Sequence, residues 1–130
     1  MNSDVLIHEA TMEDELELDA VAKHHSTTSQ AIDVAERTQS KNLILTHFSQ
    51  RYSKLPLITE RFYERNVGVA FDNMTISPSQ YNRLTLLLKP LEILFQEYTD
   101  LIVQRQERRI LKSELLASQF AKKKKLISNA

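Results

Sequence analysis

Two short apolar runs decide what this chain can become: Val5-Leu6-Ile7, which leads straight into His8 and Glu9, and Leu43-Ile44-Leu45, which leads into Thr46 and His47. Each suits a buried strand whose C-terminal end delivers polar, titratable side chains to a sheet edge. The segment between them predicts two helices. Residues 13–23 carry acids in the first turns and Lys23 and His24 at the end, which complements a helix dipole. Thr28 or Ser29 can cap the second helix, whose Ala31, Ile32, Val34 and Ala35 recur at helical spacing. A strand, helix, helix, strand order with short connections makes the two strands parallel, so both polar ends emerge at the same edge.

The rest of the chain reads less uniformly. Residues 55–65, with Pro56 and mixed charges, predict a surface connection containing one helical turn at 60–64. Val67 to Phe71 and then Met74-Thr75-Ile76 suit a last strand or a hairpin, and Gly68, the one glycine, marks a bulge or close packing. Ser77-Pro78-Ser79-Gln80 has the form of a capping box with proline at the first helical position. In the helix that follows, Tyr81, Leu84, Leu87 and Leu88 share a face, Pro90 breaks or kinks it, and Leu91, Leu94, Phe95, Tyr98, Leu101 and Ile102 continue an apolar stripe. Beyond Gln104 charged helix formers take over. The expected organisation is one domain over 1–100 and a charged helical tail over 101–130.

At 130 residues the chain has room for one modest core and not for two. No run approaches the roughly 18 apolar residues of a membrane span, and the N-terminus lacks a basic start followed by an apolar stretch. An intracellular protein is expected. Cysteine is absent, so metal chemistry would have to use His, Asp and Glu. The formal net charge of zero conceals an asymmetry: residues 1–20 hold seven acids and no Lys or Arg, whereas residues 101–130 hold eight bases and two acids. The Lys122 to Lys125 run could touch RNA or serve nuclear import, or it could be a solvated helical face.

Three of the four histidines lie in three polar runs: His8-Glu9-Ala10-Thr11, His25-Ser26-Thr27, and Thr46-His47-Phe48-Ser49-Gln50-Arg51-Tyr52. Glu9 precedes His25 by 16 residues, and His25 precedes His47 by 22. A histidine oriented by a carboxylate is a good proton donor, but His25 could equally end the preceding helix while Glu9 caps the next. His47 at a strand end could ligate a metal, yet a catalytic zinc needs about three protein ligands. Arg51 has the planar fork that grips phosphate, or forms a salt bridge pinning its loop. Ser49 could add a hydroxyl to the same phosphate. His8 could line the site or be a satisfied structural histidine, His24 matches an exposed helix end, and the hydroxyls of Ser26 and Thr27 suit a loop held by backbone hydrogen bonds.

In this order and spacing, the three runs resemble the C-terminal part of ribonuclease Z, the tRNA 3′-processing endonuclease of the metallo-β-lactamase superfamily, with the closest likeness to the long eukaryotic form over about Val5 to Phe95. The resemblance implies an α/β fold: the C-terminal half of a metallo-β-lactamase αββα sandwich, followed by a long C-terminal helix. It implies His25 as the catalytic proton donor oriented by Glu9, His47 as a zinc ligand, Arg51 and Ser49 as phosphate or RNA contacts, and His8 and Thr27 in support. The family site takes two zinc ions. Its His-x-His-x-Asp-His run and bridging aspartate have no counterpart here, so the chain is expected to be a portion of such an enzyme, inactive alone.

Precursor tRNA would be the substrate, the missing N-terminal half or a second copy the protein partner, and the nucleus or mitochondrion the compartment, with no membrane involved. Half a sandwich should expose an apolar face and an unpaired strand edge. The contrasting expectation is a truncated, non-catalytic paralogue that binds a protein through the helix from Pro90 to Phe120. A third is a small RNA-binding module driven by the basic tail.

Overall fold

In the computed structural model the described residues are 2–49 and 55–128, with side chains up to Ala121. Three short parallel strands form one sheet in the order β1-β2-β3: β1 is Leu6–Glu9, β2 is Leu43–Thr46 and β3 is Val67–Val69. Leu6 pairs with Leu43 and Glu9 with Thr46, while Leu43 pairs with Val67. Both polar strand ends therefore stand side by side, as the strand order requires.

The crossover from β1 to β2 is more broken than the sequence predicts. Instead of one helix over 13–23, a 3₁₀ turn at Asp14–Leu16 runs into the short helix α1, Glu17–Ala22. Leu18 and Val21 are exposed there and only Ala20 is buried, so little apolar burial stabilises a longer helix. Helix α2 is Thr28–Thr38. Its N-cap is Thr27, one residue earlier than expected: the Thr27 hydroxyl accepts the Gln30 amide at 3.3 Å, and Gln30 Oε1 accepts the Thr27 amide at 3.0 Å. Ala31, Ile32 and Ala35 of α2 are buried with Leu43, Leu45, Val67 and Val69 in one core.

Residues 55–65 run largely over the surface and form the expected helical turn, but two of their side chains reach inward. Leu55 and Phe62 are both fully buried in that core, Phe62 as the inward residue of α3, Glu60–Glu64. Arg61 reaches back to α2, with a guanidinium nitrogen 2.7 Å from Asp33 and 3.1 Å from Glu36. No hairpin follows β3, which is parallel to β2 and ends at Val69. Gly68 marks close packing: a Cβ there would lie 2.9 Å from Leu84 Cβ.

Leu84 belongs to a 3₁₀ helix, Pro78–Leu87, whose start is held as the sequence predicts, with Gln80 Oε1 accepting the Ser77 amide at 2.8 Å. It passes into α4, Leu88–Leu94. Pro90 lies in the first turn of α4, two residues after the 3₁₀ pattern gives way to the α-helical one, so its missing amide falls at the change of helix type and the helical run continues through it to Leu94. The 3₁₀ geometry also changes the expected face, because Leu84 and Leu88 are buried while Leu87 is exposed.

The long C-terminal helix is α5, Gln96–Ser128. At 33 residues it would extend about 50 Å, at roughly 1.5 Å rise per residue. Ile102 is buried, but Leu101 is half-exposed. Beyond it the helix touches the acidic N-terminal segment, Arg109 with Glu13 at 2.8 Å and Gln106 with Glu15 at 2.7 Å. The charge asymmetry of the chain is thus partly resolved inside it. Within the described sheet, β1 and β3 are each paired on one side only, and Ile7 of β1 is exposed. No helix among the described residues is long and apolar enough to cross a membrane.

Candidate active site at the strand ends

β1 delivers Glu9 at its last residue, β2 delivers His47 directly after its last residue, and the loop from α1 to α2 brings His25 between them. That loop is tied down at three points. The His25 amide donates to Ala20 O at 2.8 Å, the Met12 amide donates to Ser26 O at 3.1 Å, and Met12 and Thr27 form a parallel bridge. His25 Nδ1 lies 3.7 Å from Glu9 Oε2, an ion-pair distance longer than a hydrogen bond. The rings of His25 and His47 sit with centroids 5.6 Å apart, tilted by 35°. Residues up to 38 positions apart in the sequence thereby share one corner.

The Glu9 carboxylate is held from its own side of this corner. Its Oε2 accepts the Thr11 amide at 3.0 Å and the Thr11 hydroxyl at 2.5 Å. Burial pushes the Glu9 carboxyl up, but hydrogen bonds from the side chains and amides of Thr11 and Ser26 outweigh it and leave it below its ordinary 4.5. Glu9 is therefore a fixed negative charge beside His25 at neutral pH. His47 has a left-handed backbone, φ 61°, and so has His24, φ 57°. In both cases the chain reverses sharply beside a site residue, a conformation that histidine tolerates better than most side chains.

The other expected site residues divide. His8 stays outside the cluster: strand alternation sends it to the opposite face from Glu9, and its Nδ1 donates to the Glu9 carbonyl at 2.7 Å. Thr27 is buried and spent on capping α2. Ser49 joins the loop through its amide, which donates to Thr11 O at 3.3 Å. Arg51 lies outside the described residues. Thr11 was not foreseen as a site residue. A threonine two positions after a strand-end carboxylate was the available signal, since such a hydroxyl can bond back to the acid.

No protein-family model matches the chain. Its similarity to curated proteins is nevertheless high: it is 47% identical over 108 residues to rat zinc phosphodiesterase ELAC protein 2, covering 83% of this chain and 13% of that protein. It is 44% identical over 113 residues to Drosophila melanogaster "Ribonuclease Z, mitochondrial", covering 87% and 15% respectively. The crystal structure of a long-form RNase Z from yeast superposes with a TM-score of 0.60 at 37% identity, over 81% of this chain and 13% of that one. The chain belongs to the ribonuclease Z family. That family is part of the metallo-β-lactamase superfamily, and the parallel sheet, flanking helices and long C-terminal helix fit the match. The chain spans 13% and 15% of the length of these two curated relatives.

Zinc stands in the names of several ribonuclease Z relatives, and the described residues do not by themselves make a site for it. No group of three or more His, Asp or Glu among them is placed to hold a metal ion. His47 offers one exposed imidazole, against the roughly three protein ligands of a catalytic zinc.

Proposed function

We propose that this chain is the C-terminal portion of a zinc-dependent endoribonuclease that removes the 3′ trailer from precursor tRNA by phosphodiester hydrolysis. The observation that carries it is the convergence of Glu9, His25 and His47 at one sheet edge, in a chain of this family. The chain's own contribution is the departure step. His25 gives a proton to the ribose oxygen as its bond to phosphorus breaks, turning a poor leaving group into a neutral hydroxyl. Glu9, kept ionised by Thr11 and Ser26, orients the imidazole and stabilises its protonated form. His47 is one imidazole donor to a zinc site whose remaining ligands come from outside this chain. Arg51 and Ser49 contact the phosphate or the RNA.

The same reading takes the chain as inactive alone, since its described residues hold no group of three or more metal ligands, and extends to the nucleus or mitochondrion as compartment, consistent with the mitochondrial relative. The test is complementation. Purified chain is mixed with the N-terminal part of a ribonuclease Z bearing the His-x-His-x-Asp-His run, and precursor tRNA cleavage is measured. Cleavage that neither part shows alone is expected; a folded complex that leaves the precursor intact would sink the proposal.

One observation favours a second reading, a protein-interaction module without catalysis that binds through its C-terminal helices: of the stripe Leu91, Leu94, Phe95 and Tyr98, Leu94 and Tyr98 are exposed, although Leu91 and Phe95 pack against the core. Under that reading His25→Ala leaves partner binding unchanged and complementation fails.

A further inference from the structure

Thr11 stands where the two halves of the candidate site meet. Its amide and hydroxyl both donate to Glu9 Oε2, at 3.0 Å and 2.5 Å, and its carbonyl accepts the amide of Ser49, two residues beyond His47. The neighbouring Met12 amide is bonded to Ser26 O, beside His25. One residue thus grips the carboxylate behind His25 with its side chain and the loop behind His47 with its main chain.

The geometry points to Thr11 as a positioning residue that sets Glu9, His25 and His47 in register. This rests on the roles proposed above for Glu9 and His25. Three features of the corner make the grip consequential. The His25–Glu9 contact at 3.7 Å is too long to fix the ring by a hydrogen bond, so the ring's place depends on where the carboxylate is held. A carboxylate at the end of a strand has free rotation about its own side-chain bonds, and the two Thr11 donors on Oε2, together with the Ser26 side chain and amide, remove it. The Ser49 amide then joins the His47 loop to the same anchor, which holds His47 in a left-handed backbone that an unanchored loop would relax. Valine at this position keeps the shape and removes the hydroxyl donor, while serine keeps the donor and removes a methyl group.

The experiment uses the full chain. In NMR spectra of the wild type, the His25 and His47 ring protons should cross-relax, given the 5.6 Å between their centroids. Thr11→Val should lose that cross-peak and Thr11→Ser should keep it. A cross-peak that survives Thr11→Val overturns the proposal, as does its loss in Thr11→Ser, which would assign the effect to the methyl group. Should Thr11→Val fail to fold, Thr11→Ala, which also removes the hydroxyl, takes its place: loss of the cross-peak there with retention in Thr11→Ser supports the proposal, and retention in Thr11→Ala overturns it.

In the complemented nuclease, Thr11→Val should lower kcat about tenfold with KM unchanged, as for loss of orientation without loss of binding. A rise in KM alone contradicts it. If the wild-type mixture cuts no precursor tRNA while the ring contact still follows Val and Ser as stated, the nuclease reading has failed and the positioning has not.

Discussion

The Glu9 carboxylate lies 3.7 Å from His25 Nδ1, while the hydrogen bonds that hold it come from the side chains and amides of Thr11 and Ser26 rather than from the histidine. The pair is thus held by the fold around it and not by its own bond, which makes the carboxylate's surroundings as consequential as the carboxylate.

A pH dependence follows. The folded-state carboxyl of Glu9 is depressed below its ordinary 4.5, so its contribution to stability is present above that value and is lost as pH falls through the folded value. Asp4 and Glu36 are also depressed and lose stability in the same acid range, so the informative quantity is a difference. Glu9→Gln should be less stable than wild type at pH 7, and the gap should narrow as pH falls below 4.5. Thermal melts from pH 7 to pH 3 measure it, and a gap that widens in acid is inconsistent with an ionised Glu9.

Removing the α2 cap should cost about 1 kcal/mol, the usual effect of replacing an N-cap threonine by alanine. Thr27→Ala is the substitution and urea unfolding the measurement, with Thr27→Ser close to wild type. Because Thr27 closes the loop that carries His25, the alanine variant should also shift the His25 ring resonances.

Gly68→Ala tests the close approach of β3 to the 3₁₀ helix. The added Cβ would meet Leu84 Cβ at 2.9 Å, a part of the side chain that cannot swing away. Overpacking of this kind costs about 1–3 kcal/mol. Equal stability of the two proteins would show that the helix yields freely.

How much of this was legible in the sequence depended on distance along the chain. The strands were, because Leu6 and Leu43 to Leu45 announce themselves by apolar runs with polar ends. The Ser77 and Gln80 start was, because its partners are three residues apart. Phe62 and Leu55 were not: charged neighbours such as Glu60, Arg61 and Glu64 mask single inward side chains, and burial there is settled by the α2 surface they meet. The contact of Arg109 with Glu13 spans 96 residues and leaves no local trace. Within the site, Glu9, His25 and His47 stood out by motif, whereas Thr11 acquires its place only once the strand end and the Ser26 loop face each other.

That long-range pair gives a further test. Glu13 is 11% exposed, and its Oε1 has no hydrogen-bond partner among the described residues, so its charge leans on Arg109 through Oε2. Arg109 is itself 35% exposed, which limits the pair to about 1 kcal/mol of coupling in a double-mutant cycle of Arg109→Ala and Glu13→Ala. Additive effects would show that α5 is held by Ile102 and its apolar neighbours alone.

The most direct test of the account is leaving-group replacement in the complemented nuclease. A precursor in which the departing ribose oxygen is replaced by sulfur needs no protonation to leave. With the natural oxygen, His25→Ala should slow the cleavage step by about 10²–10⁴-fold, the range for loss of a positioned proton donor. With sulfur, His25→Ala should cut as fast as wild type. An equal loss on both substrates would contradict the assignment of His25 as the proton donor.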